Sequence, residues 1–320
     1  MVKTRLNRTF RVLLSLVVLI ILVTTSTWYP AQGSDAIRNY SRRYEFDYVR
    51  WELSAIWNKL LNSSYGSVFY LNNYQQRKII DDYFYSLNTF NQLQQKLNEA
   101  YSEPQKTNDK DRLLRMEMNV DRASQIMQYR RKTAESVIQY QISQVLHKLN
   151  LANLGTPFPP VLFQATKLPK QLIISPRDKI IQEKSISLET DISLVEIISL
   201  ENVIEDSLEY SALVVPIGGV GTYPSMVINS TSLHHIIETV AHEWTHNYLT
   251  LRPLGIFYSA SPELRTMNET TANIAGNEIS QAVIEAYYPD LQEKPRISPV
   301  DVYASTSGPY SLQYPNFIFS

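Results

Sequence analysis

His242-Glu243-Trp244-Thr245-His246 lies inside Leu233 to Leu249, a run without glycine or proline. Ser230, Thr231 or Ser232 can cap its start, and Pro253 and Gly255 stop it. The run therefore predicts one helix. Residues four apart share a helix face, so the two imidazoles can reach one cation. The glutamate between them then points beside the cation, where it can take a proton from water.

Working outward, the site needs a third ligand. The chain has no cysteine, so any metal must be held by His, Asp or Glu. No histidine follows His246, which leaves a carboxylate. The best candidate is Glu269, in Met267-Asn268-Glu269-Thr270-Thr271-Ala272-Asn273. It falls in a second helical run, Glu263 to Tyr287, where Ala272, Ala275 and Gly276 permit close packing. Glu263 and Glu278 are the alternatives. Three protein ligands with a fourth position left for water describe a catalytic Zn2+ site.

These two segments resemble the gluzincins, the thermolysin-like and aminopeptidase-like zinc peptidases. In that group a glutamate from a following helix, often within Asn-Glu-x-x-Ala, completes the site. The pattern also looks like that of membrane-anchored bacterial proteins. The resemblance covers about residues 231–288. It implies zinc held by His242, His246 and Glu269, with Glu243 as general base in the hydrolysis of a peptide or protein substrate. Related enzymes use a Tyr or His as oxyanion donor. Here Tyr258 is the candidate, with Arg265 and Tyr303 behind it. Asn273 stands where relatives place an Asp that orients a ligand histidine, and Glu238 is a second candidate for that task. Met226-Val227-Ile228 would correspond to the edge strand that binds substrate backbone. Gly218-Gly219-Val220-Gly221 reads as a tight turn bordering the cleft.

Residues 35–61, 68–102 and about 108–154 read as three long helices. In the third, Leu113, Met116, Val120, Ala123 and Met127 step by three and four, and Ala134, Ile138, Ile142, Val145 and Leu149 continue the pattern. After Pro157 the chain turns to short strands near Val161–Phe163, Gln171–Ile174, Lys184–Leu188, Ala212–Pro216 and Met226–Ile228, with a helix over 191–208. The expected fold class is α+β and predominantly helical. A membrane segment (1–33), a helical domain (34–155) and a zincin-like domain with a small sheet and two zinc-binding helices (156–320) divide the chain. Its last residues, Asn316-Phe317-Ile318-Phe319-Ser320, read as an apolar strand docking on the body.

The N-terminus carries a membrane signal. Val12 to Tyr29 is an uncharged run of 18 residues, about 27 Å as a helix and close to a bilayer core. Lys3, Arg5, Arg8 and Arg11 precede it without any acid, which predicts a cytoplasmic N-terminus and an extracytoplasmic body. A cleaved signal peptide is the alternative and leaves a secreted body. Setting those four cations aside leaves 26 basic against 31 acidic residues, a net of −5. Such a body has no electrostatic footprint for nucleic acid. A non-catalytic alternative also fits the sequence: a zinc-stabilised helical module that binds a partner at the membrane surface.

Overall fold

The computed structural model describes residues 34–61, 68–102, 110–153, 156–179, 181–208 and 210–291. The expected span at 12–29, Tyr303 and the C-terminal strand lie outside them. Among the described residues no helix is long and apolar enough to cross a membrane. The structure is α+β and mainly helical, as the sequence predicts.

The first helical stretch is broken in two. Helix α1 (Ser34–Ser41) is followed by a 3-10 turn at Arg42–Tyr44 and then α2 (Tyr48–Leu61). The Asp47 carboxylate accepts from Arg50 N at 2.9 Å and so restarts the helix. Helix α3 (Asn73–Ser102) begins five residues later than the apolar pattern suggests. Asn72 and Gln75 set its start by reciprocal bonds of 2.9 and 3.0 Å, an amide version of a capping box. Helix α4 (Lys110–Lys148) follows, and α3 and α4 pack along their length.

Two three-stranded sheets come next, beside a minor pair formed by β1 (Ala152–Asn153) and β2 (Thr156–Pro157). The strands are β3 (Phe163–Thr166), β4 (Lys170–Pro176), β5 (Lys184–Leu188), β6 (Tyr210–Val215), β7 (Gly219–Val220) and β8 (Ser225–Ile228). One sheet runs β5-β4-β6 and is antiparallel. The other runs β3-β8-β7, with β3 parallel and β7 antiparallel to β8. Met226–Ile228 therefore lies in the central strand, not at the edge; the edge strand is the glycine-rich β7. Helix α5 (Leu194–Leu208) separates β5 from β6. Helix α6 (Leu233–Leu249), the short α7 (Pro253–Ile256) and α8 (Pro262–Tyr287) complete the described chain.

Two cores organise these elements. The larger joins Ile80, Tyr83 and Leu87 of α3 and Val137, Ile138 and Ile142 of α4 to Phe163 and Val227 of the strands. It continues into Ile237, Val240 and Trp244 of α6 and Ile279 and Val283 of α8. The smaller combines Ile37 and Tyr44 with Leu172, Ile174, Leu188 and Ile204. Both cores draw residues from each side of position 155. At the far end of α8, the Tyr288 hydroxyl donates to Gln141 at 2.8 Å, and Gln141 donates to Gln76 at 3.1 Å. This buried relay fixes α8 against α3 and α4.

Candidate metal centre

Helices α6 and α8 carry the site, and local sequence fixes both starts. Ser232 accepts from His235 N at 3.2 Å and Ser261 from Leu264 N at 3.3 Å, with Pro262 in the first turn of α8. The helices touch at Gly276. A Cβ there would stand 3.1 Å from both Glu238 O and His242 Cβ. Glycine thus lets α8 approach α6 beside the first ligand.

His242, His246 and Glu269 converge as the sequence predicts. Nε2 of His246 lies 3.0 Å from Nε2 of His242 and 3.4 Å from Oε2 of Glu269. Nε2 of His242 lies 3.7 Å from the same carboxylate oxygen. Donors about 2.0–2.1 Å from a tetrahedral cation are about 3.3–3.4 Å apart, so this triangle has the size of three ligands around one small ion. All three side chains are part-buried, with 19–31% of each exposed. Glu263 and Glu278 are exposed on α8 and stay outside the cluster.

Hydrogen bonds set the ring states. Asn268 donates its amide to Leu254 O at 3.2 Å, which turns its oxygen toward Nδ1 of His246 at 2.7 Å. Nδ1 then carries a proton. Burial disfavours charge on His246, but the Glu269 carboxylate beside Nε2 raises its pKa, so in the metal-free protein Nε2 also donates to Glu269 and gives up that proton when it ligates. Asn273 lies beside His242 and raises its pKa slightly, whereas Glu238 faces His234 at 3.8 Å and takes no part. Burial, followed by the neighbouring His246, lowers the His242 pKa and favours the neutral, ligating form. Burial alone would raise Glu269, but hydrogen bonds from His246 and Tyr258 hold it down at about 2.

Tyr258 enters the site with its hydroxyl donating to Oε1 of Glu269 at 2.7 Å. Arg265 sits over the Tyr258 ring, 5.6 Å from its centroid. Glu243 is 6% exposed, and burial pushes its pKa up to about 7. Its cover is β7: a Cβ on Gly219 would stand 2.2 Å from Oε1 of Glu243. Asn247 secures this cover by donating to Thr222 O and Ser225 Oγ, both at 3.1 Å, and to Glu243 O at 3.2 Å.

Three residues here escaped the sequence reading in their specific roles: Asn268, Asn247 and Gly219. Asn268 immediately precedes the ligand, and three of the chain's 9 glycines fall within 218–221. Both are signals that could have found them.

No family model, no curated protein and no solved structure matches the chain.

Proposed function

We propose that the chain is a zinc metallopeptidase of the gluzincin kind, tethered by its N-terminal segment with the body outside the cytoplasm. The observation that carries this reading is the ligand-sized triangle of His242, His246 and Glu269, with Glu243 next to it on α6. The donor set of two imidazoles and one carboxylate suits zinc. Zinc bound there supplies Lewis-acid chemistry, acidifying water and polarising a carbonyl.

The protein's own groups do the rest. Asn268 orients the imidazole of His246, and Tyr258 steadies Glu269. A Glu243 pKa near 7 suits a group that accepts a proton from water and returns it. Water adds to the scissile carbonyl carbon as Glu243 takes one of its protons. The C–N bond then breaks while that proton passes to the leaving amine. In this proposal the Tyr258 hydroxyl, which has one hydrogen, leaves Glu269 and donates instead to the developing oxyanion.

A peptide substrate is supported by the state of the sheet edge. Among the described residues no side chain caps the outer edge of β7, which leaves backbone groups for an extended chain beside Glu243. The test uses the full chain. About one zinc per chain is expected, and it is lost in Glu269→Ala and His246→Ala. Glu243→Gln is expected to keep the zinc and lose hydrolysis of a mixed peptide pool by at least about 100-fold. Unchanged hydrolysis in that variant would overturn the catalytic reading. Absence of zinc in the folded chain would overturn the metal site.

A further inference from the structure

Helix α2 is inverted. The stripe Tyr48, Glu52, Ala55 and Lys59, spaced four, three and four, faces the protein. Tyr48 donates to Ser187 Oγ at 2.7 Å, Glu52 accepts from Tyr223 N at 3.4 Å, and Lys59 pairs with Glu135 at 2.6 Å. Ala55 is buried among them. The opposite stripe is apolar and exposed: Val49, Leu53, Ile56 and Trp57, the last at 62%. A surface helix ordinarily turns its apolar stripe to the core. Here the polar groups are used up inside, and four large apolar side chains point outward without a partner among the described residues. A contiguous patch of this kind marks an interaction surface.

What covers it is indicated by the chain just upstream. Four residues separate the uncharged run Val12–Tyr29 from α1. Four residues reach at most about 14 Å when extended. If 12–29 spans a bilayer, α1 starts within that reach of the bilayer surface, and six residues separate α1 from α2. We infer that the Val49–Leu53–Ile56–Trp57 face of α2 lies in the lipid interface, as a second membrane contact that fixes the body's orientation. Val, Leu, Ile and Trp suit that depth, with the indole at headgroup level. Through Glu52 and Tyr223 the same helix reaches the loop that follows β7, so docking α2 also sets the cleft's position against the membrane. The inference rests on the membrane segment of the proposed function and not on the metal.

The experiment reads depth, not activity. The chain has no cysteine, so Leu53→Cys in the full chain gives one thiol for an environment-sensitive fluorophore. Tyr129→Cys, at an exposed position on α4, is the aqueous reference. Both are inserted in phosphatidylcholine vesicles containing phosphatidylglycerol. The expected result at position 53 is blue-shifted emission, quenching by doxyl-labelled lipid, and several-fold weaker iodide quenching than at 129. Iodide quenching equal to that at 129, in protein that floats with vesicles, overturns the docking while leaving the membrane segment intact. Protection from iodide without lipid quenching assigns the face to a second copy or another segment of the chain and also overturns it. Protein that does not float overturns both.

Discussion

In the sheet β5-β4-β6 both outer edges are closed. Chain 44–46 runs along β5, with Phe46 N donating to Ser187 O at 2.9 Å and Glu189 N to Tyr44 O at 2.7 Å. On β6, Glu205 accepts from Ala212 N at 3.2 Å and Glu201 from Val214 N at 2.7 Å. In β3-β8-β7 only β3 is closed. Gln139 and Glu135 of α4 accept from Phe163 N and Ala165 N at 3.2 and 2.9 Å, and Arg131 donates to Ala165 O at 2.8 Å. Bare sheet edges invite pairing with other chains, and proteins normally block them. The edge left bare among the described residues is the one over Glu243. The bare edge thus lies beside the candidate metal site, where the proposed function puts an extended peptide.

The largest effect is expected at the closed edge of the β3-β8-β7 sheet. Glu135 is buried, holds Lys59 and caps Ala165 N. Glu135→Ala leaves a mostly buried ammonium and an unpaired N–H together. A loss of about 3–5 kcal/mol in urea denaturation is expected, while Glu135→Gln, which keeps an acceptor, loses less. Equal losses would mean that packing around Glu135, not its carboxylate, closes this edge.

At the open edge the effect moves from stability to activity. Gly219→Ala sets a methyl against Oε1 of Glu243, and either β7 or the carboxylate must shift. A loss of hydrolysis of about 100-fold is expected, with zinc content unchanged. Gly218→Ala is the control, because a Cβ there meets nothing within 4 Å. Similar activity in both variants would remove β7 from the catalytic arrangement.

Covering Glu243 with β7 also has a stability consequence. Its pKa of about 7, against 4.5 when unperturbed, means that the native state holds the proton more tightly than the unfolded one. Stability therefore falls as pH rises from about 4.5 to 7. In the metal-free chain Glu243→Gln removes that fall. The variant is expected to match the parent below about pH 4.5 and to exceed it by roughly 2–3 kcal/mol above about pH 7. A pH-independent difference would show that the open edge does not keep water from Glu243.

The candidate site and the strand edge over it were only partly legible in the sequence. The four-residue spacing of the histidines, an uninterrupted run between caps and stops, and the small residues around Glu269 located α6 and α8, because two ligands are fixed by one turn of a helix and the third must be a carboxylate in a cysteine-free chain. Tyr258 was found by its place after the motif helix. Asn268 was not, since its role depends on which side of α8 meets the carbonyl of Leu254, and no local spacing encodes that contact. Gly219 read as a turn because a glycine's need for space is visible only once Glu243 lies against it. The break between α1 and α2 was missed for a related reason. The 3-10 turn at Arg42–Tyr44 forms where Tyr44 enters the smaller core, a tertiary demand on an otherwise helical stretch. The inverted face of α2 had no sequence signature either, because either stripe could have pointed inward.

The smallest effect belongs to the far edge and tests whether capping is what keeps it closed. Glu201→Ala frees Val214 N, a part-buried donor in a strand whose preceding residue, Leu213, is 58% exposed. Losing one such bond removes about 1 kcal/mol. The freed N–H also gives β6 a partial copy of what β7 presents, an unpaired donor beside an exposed strand. The variant should then associate with rising concentration in sedimentation experiments, while zinc content and hydrolysis stay as in the parent. If it stays as monodisperse as the parent, the glutamates of α5 serve only local stability, and the restriction of strand pairing to β7 must come from its position over Glu243 rather than from the closure of the other edges.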